Sequence, residues 1–187
     1  MRYPPGHRAE TRAKLVREGG ALAKREGFAR SGVDDLARVA GMTSGAFYRH
    51  FAGKDELLAA IVEAELATTR ARFAAIETNE QLLFALDAYL SMTHVRNPEI
   101  GCVLPTLAAE IGRSSTETRG VFERALAEVT DVLADKVGDR AVASAVLTQC
   151  VGAVMVARGL ESEAARRAVL AAARKSARAL LRAGNLA

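Results

Sequence analysis

Residues 37–51 read Ala-Arg-Val-Ala-Gly-Met-Thr-Ser-Gly-Ala-Phe-Tyr-Arg-His-Phe. The run has the form of a helix end, a turn at Gly41 and a second short helix over 44–50. Phe47 and Phe51 stand four residues apart, so they share one helical face and can anchor it in a core. Ser44 and Tyr48, also four apart, fall on a different face, with Arg49 and His50 beside them. Gly45 and Ala46 are small, so the first turn of this helix can approach another surface closely. A helix that enters the major groove of DNA by its N-terminal end needs that combination.

Followed in both directions, the run resembles the TetR (tetracycline-repressor) family of bacterial regulators. The family pattern is a hydroxyl residue, any residue, Gly, two residues, Tyr, one residue, His or Tyr, Phe, then Lys and an acidic pair. Here these are Thr43, Gly45, Tyr48, His50, Phe51, Lys54, Asp55 and Glu56. Upstream the likeness runs through Gly27-Phe28 and 33–41. The resemblance implies an all-α fold. Residues 1–53 would form a three-helix, helix-turn-helix DNA-binding head, and residues 54–187 a helical ligand-binding and dimerisation domain. It implies a ligand-responsive transcriptional regulator, a repressor, that binds a palindromic double-stranded DNA operator as a homodimer. A small-molecule effector of unknown identity would release it by changing the separation of the two heads.

The DNA-binding residues implied by the motif are Thr43, Ser44, Gly45, Ala46, Tyr48, Arg49, His50 and Lys54. Tyr48 and His50 would position the protein on phosphates, and Arg49 could read a guanine edge or a phosphate. The family often carries Lys where this chain has Ser44. Lys54 opens a helix, where a cation opposes the helix dipole, so local stability does not explain it. A phosphate bound at that N-terminus would accommodate both the free N–H groups and the lysine.

Charge agrees with this placement. Residues 1–60 hold 11 Lys/Arg against 7 Asp/Glu, and residues 61–187 hold 15 of each. The whole net charge of +4 therefore sits in the segment with the suspected DNA-reading helix. Such an excess supplies sequence-independent affinity for nucleic acid by displacing counterions from phosphates.

Half the chain is apolar, yet Trp is absent and aromatics are few. Ala, Leu and Val must fill the core, which favours closely packed helices. The helical pattern continues after Lys54 through 79–96, where Asn97-Pro98 stops it. A shorter helix over 101–111 carries Pro105 in its first turn. Ser114 with Glu117 reads as a capping box opening a helix to 137, and Ser31 with Asp34 as a weaker one before 33. Helices over 140–158 and 162–183 end the chain. Residues 1–7, with two prolines and a glycine, read as an arm. No strand-like alternation and no repeat is visible.

Pocket candidates among these helices are Tyr89, Met92, His94, Cys102, Phe122, Gln149 and Met155, polar or adaptable groups in apolar surroundings; each is also compatible with ordinary packing. The segment 141–157 is apolar nearly all round, and one partner helix cannot cover it. The last helix adds a broad apolar stripe. A two-fold four-helix bundle from two copies would bury both, with Val146, Ala153, Val169, Leu170, Ala173, Ala177 and Leu180 at the interface.

No HExxH, GxSxG, P-loop or CxxC pattern occurs, so no catalytic residue, cofactor or metal is expected. The N-terminus lacks the apolar segment of a secretion signal, and apolar runs fall short of the roughly 18 residues that span a membrane. A cytoplasmic protein with reduced thiols and no membrane partner is the expectation. Two alternatives stay open. One is a ligand-free architectural DNA binder of the same fold. The other is an electrophile or redox sensor acting through Cys102. Gly101-Cys102 with Glu110 resembles a feature of one branch of the family, in which some members respond through such a cysteine. A position near a helix N-terminus would lower its thiol pKa. The plainer reading of Cys102 is a small residue packed in the core.

Overall fold

A computed structural model describes residues 7–184. Of the arm expected at 1–7, all but His7 lies outside these residues. The described residues contain ten α-helices and no strand: α1 His7–Glu26, α2 Val33–Val39, α3 Ser44–Phe47, α4 Lys54–Ala74, α5 Asn79–Tyr89, α6 Met92–Arg96, α7 Leu104–Ile111, α8 Thr116–Val137, α9 Arg140–Gly159 and α10 Glu163–Gly184. A 3-10 turn, Pro98–Ile100, joins α6 to α7.

α1 packs on α2 and on the first half of α4, and α2 packs on α3. Leu36, Leu57 and Ile61 converge where α1 carries Gly19, and Leu15, Phe47 and Phe51 are fully enclosed. α4 then runs on to pair with α8, α8 packs against α9, and α9 against α10. The buried apolar residues form one continuous cluster from Leu15 to Leu181. The division expected at 53/54 falls at Gly53, the N-cap of α4. Because α4 is common to both groups of helices, the head is built onto the rest rather than tethered to it.

Several local expectations need correcting. The helix expected over 79–96 is two helices. It breaks at Leu90, whose φ of −87° and ψ of 46° leave the helical region, and Ser91 caps α6 by accepting from the His94 N–H. The Leu90 carbonyl is satisfied by the Arg174 guanidinium of α10 at 2.8 Å. α7 begins at Leu104, three residues later than expected, with Pro105 in its first turn. α8 is capped by Ser115, not Ser114. Before α2 the N-cap is Gly32: the Asp35 carboxylate accepts from its N–H at 3.2 Å, while Ser31 donates to the Gly27 carbonyl.

α9 is long and apolar enough to cross a membrane by length and composition. Ala143, Val146, Leu147, Cys150, Ala153, Val154 and Ala157 line its inner side and are buried. Packing between α8 and α10 therefore accounts for much of its apolarity.

Candidate nucleic-acid interface and its link to the interior

The turn between α2 and α3 is closed by the backbone. Gly41 adopts φ +73°, a left-handed conformation that glycine takes without steric cost. Its N–H donates to the Arg38 carbonyl and that of Met42 to the Ala37 carbonyl, both at 2.9 Å. Thr43 caps α3 by accepting from the Ala46 N–H at 3.3 Å. α3 is only one turn, ending at Phe47, and residues 48–50 continue as hydrogen-bonded turns. So short a helix cannot hold itself. Phe47 and Phe51, both buried with ring centroids 5.8 Å apart, fix it to the core.

That anchor turns the polar side outward. Tyr48 is 58% exposed and stands edge-on to Phe47 at 5.4 Å. Thr43, Gly45 and Arg49 are exposed, while Ser44, Ala46 and His50 are half-buried. The Ser44 hydroxyl donates to the Asp34 carboxylate of α2, so it is engaged within the head. Arg8, Arg12, Lys14 and Arg38 are exposed on α1 and α2. Arg12 lies over the Phe51 ring at 4.5 Å, and Arg8 donates to the Arg49 carbonyl at 3.1 Å. These two contacts bring part of the basic surface of α1 to the end of the reading element.

Lys54 does something the sequence did not suggest. Its ammonium donates to the carbonyls of Phe28 and Ala29 at 2.9 and 3.4 Å and sits 4.8 Å from the Phe28 ring centroid. These acceptors offset the unfavourable position at the start of α4. The same loop is gripped from the opposite side. The Glu110 carboxylate of α7 accepts from the N–H groups of Phe28 and Ala29 at 3.2 and 2.6 Å.

A second link joins the head to the interior. Lys24 of α1 is 4% exposed. It donates to Glu65 of α4 at 2.7 Å and to the Gly101 carbonyl at 3.0 Å. Gly101 is needed there, because a Cβ would lie 2.5 Å from His94 Nε2. His94 Nε2 accepts from the Cys102 N–H at 3.0 Å, so its Nδ1 carries the proton and donates to the Tyr89 carbonyl at 2.7 Å. Burial, with Arg158 and Lys24 nearby, lowers the His94 pKa and keeps the ring neutral. Arg158 of α9 donates to Thr106 at 2.7 Å and to the His94 carbonyl at 3.0 Å. Burial holds its pKa below the ordinary guanidinium value.

Cys102 has the opposite setting to the one expected. It precedes α7 and its N-cap Val103, outside the helix. Burial of the thiol raises its pKa, and this outweighs the hydrogen bonds with the Tyr89 hydroxyl and the Leu104 backbone that oppose the rise. Arg96 of α6 pairs with Glu163. Burial also pushes the Cys150 thiol up to about 12. Both thiols are therefore protonated at neutral pH, the unreactive form.

A narrow, partly open cavity of about 60 Å³ lies between α4, α5, α8, α9 and α10. Phe73, Leu82, Leu86, Leu133, Leu147 and Tyr89 form most of its wall. Of the expected pocket residues only Tyr89 lines it. Met92 packs against the core, His94 and Cys102 belong to the polar link, and Gln149 is half-buried on α9. Phe122 borders an open groove beside α7 and α8, and Met155 is 54% exposed, which removes it from an interior wall. The aliphatic wall residues carried no signal that separates a lining leucine from any other core leucine.

The expected dimer residues divide in two. Val146, Ala153, Leu170, Ala173 and Ala177 are buried within a single chain, where α9 pairs with α10, and offer little area to a partner. Val169 and Leu180 stay partly open. The large apolar residues exposed on α9 are Met155 and Val156.

Residues 15–61 match the model of a family described as bacterial regulatory proteins, tetR family. No curated protein matches the sequence. Solved structures with the same fold include a TetR-family regulator from Cytophaga hutchinsonii, at a TM-score of 0.78 and 18% identity, covering 97% of this chain and 98% of that one. The reduced form of NemR from E. coli superposes at 0.76 with 20% identity, over 91% and 97% of the two chains. A TetR-family regulator from Pectobacterium atrosepticum is 26% identical at a TM-score of 0.63, over 97% of each chain.

Proposed function

We infer that this chain, which belongs to the tetR family and is thus a DNA-binding transcriptional regulator rather than an enzyme, acts as a ligand-released repressor on a palindromic operator, as a homodimer. The head is residues 1–53 and the regulatory domain 54–187. The observation that carries the DNA-binding part is the exposed side of α3, presented on the buried Phe47–Phe51 anchor and flanked by Arg8, Arg12, Lys14 and Arg38. The first turn, with Thr43, Ser44, Gly45 and Ala46, approaches the base edges; no atom lies within 4 Å of where a Cβ on Gly45 would be. Tyr48, Arg49 and His50 contact phosphates or a guanine edge. Lys54 has a third N–H beyond the two given to carbonyls, and this serves a phosphate near the start of α4.

Dimerisation uses the outer side of α9 and α10, where Met155, Val156, Val169 and Leu180 keep apolar area open. Ligand response rests on the interior cavity and on the links from α7 and the Gly101 loop to α1. These features favour a regulated protein over a ligand-free architectural binder. The burial and raised pKa of Cys102 disfavour a thiol sensor.

Fluorescence anisotropy on a random-sequence duplex over a range of salt tests the interface. Arg49→Ala is expected to weaken binding and to reduce the slope of log K against log salt by about 1. Tyr48→Ala is expected to weaken binding with a smaller change in slope. Unchanged affinity and slope in both variants would remove α3 from the interface.

A further inference from the structure

The first turn of α3 brings few polar side chains of its own. Gly45 and Ala46 have none, and the Thr43 oxygen is taken by the Ala46 N–H as the cap of the helix. Ser44 is left, and its hydroxyl donates to the Asp34 carboxylate. Asp34 lies in the first turn of α2 and Ser44 opens α3, so the contact ties the starts of the two helices together. It also uses the one hydrogen on the Ser44 oxygen. What the pair has left to offer is lone pairs, and so it can only accept.

Asp34 differs from its neighbour Asp35. The Asp35 carboxylate accepts from the Gly32 N–H at 3.2 Å and pairs with Arg38, so its charge is spent within α2 and its cap. Asp34 is exposed, on the side of α2 opposite the buried Leu36, Ala37 and Ala40. Among the described residues no basic side chain pairs with it, and Ser44 is its partner. The dipole of α2 favours an acid in its first turn, but Asp35 already supplies one. An unneutralised carboxylate on a surface that meets phosphates lowers affinity for every sequence. That loss is recovered only where the groove offers a donor, which is how an unpaired charge discriminates. In the major groove, cytosine presents its N4 amino group alone. Adenine sets the N7 acceptor beside its N6 amino group, and guanine and thymine present acceptors. The base that suits an acceptor-only pair best is cytosine.

We propose that Asp34, held at the first turn of α3 by Ser44, is a specificity-determining residue that selects cytosine at one position of the sequence this turn faces. This rests on the reading of α3 as the element that enters the major groove, and it adds a residue of α2 to that reading.

The test compares base preferences. The full chain selects duplexes from a random-sequence pool, and anisotropy is then measured on the enriched duplex and on its single-base replacements. The parent is expected to prefer cytosine at one position by roughly five- to thirtyfold. Asp34→Asn keeps the shape and turns an acceptor into a donor. It should remove that preference, raise adenine relative to cytosine, since an amide pairs with N6 and N7 together, and leave the other positions unchanged. Asp34→Glu retains a carboxylate and should retain cytosine. On a random-sequence duplex Asp34→Asn should bind more tightly than the parent, because a negative charge near phosphates is gone. A role confined to folding α2 would instead weaken binding to every duplex alike. That uniform loss, or unchanged preferences in Asp34→Asn, would overturn the assignment and leave α3 as the reading element. A parent chain that enriches no sequence would overturn the reading and the assignment together.

Discussion

His94 shows how much one neutral ring can hold. It takes the Cys102 N–H on one nitrogen and gives a proton to the Tyr89 carbonyl from the other, and burial lowers its pKa below 6.5. Protonation would put a second donor opposite the Cys102 N–H and break that contact. As pH falls, the unfolded chain takes up this proton before the folded one does. The stabilisation is therefore complete above the unfolded pKa and is lost as pH falls through the lower folded value. Thermal unfolding between about pH 7 and pH 5 should show a shallower fall in Tm for His94→Gln than for the parent chain. Parallel curves would take His94 out of this role. The sequence singled out His94 as a pocket candidate because a lone histidine in an apolar helix is conspicuous. Its actual partners are backbone groups of residues 89 and 102, which no side-chain pattern announces. Lys24 was invisible for a related reason. On α1 it is one charge among many, and only the fold brings Glu65 and the Gly101 carbonyl to it.

α7 is the element that connects the cavity region to the head. Its last turn carries Glu110, which receives two N–H groups from the loop between α1 and α2. Glu110→Ala leaves both without that acceptor, a loss of about 1–3 kcal/mol where the groups are buried and less where they are open to water. Hydrogen exchange should quicken at the amides of residues 28–36 while α8, α9 and α10 keep their protection. A uniform change, or none, would contradict a local grip. The helices with long apolar periods and clear stops were legible from the sequence: α8, α9 and α10 begin and end within one or two residues of expectation. The break at Leu90 was not. Nothing at 89–91 is a Gly or Pro, and the turn is sustained by Arg174 from a helix more than eighty residues later. The start of α3 and its turn were legible because Gly41 and Thr43 act locally, through a positive φ and a cap. The early end of α3 at Phe47 was not.

At the scale of the whole molecule, the all-α architecture followed from an alanine-rich, helical pattern, and the head from one motif. The dimer face was only half legible. A sequence reports that a helix is apolar all round, but not whether its own chain or a second copy covers each side. Here α8 and α10 cover Val146 and Ala153 of α9, leaving Met155 and Val156 outside. The cavity was less legible still, since its wall is ordinary core residues around one tyrosine. What binds two copies of the head to DNA in register can be measured without knowing the effector. The full chain is used to select duplexes from a random-sequence pool, and the enriched sequence is then footprinted and its stoichiometry measured. Enrichment of an inverted repeat with half-site centres about 34–36 Å apart or more, occupied by two chains and lost in Arg49→Ala, is expected. A pool with no enriched sequence, or a single unrepeated site bound by one chain, would refute a dimeric regulator that reads DNA through α3.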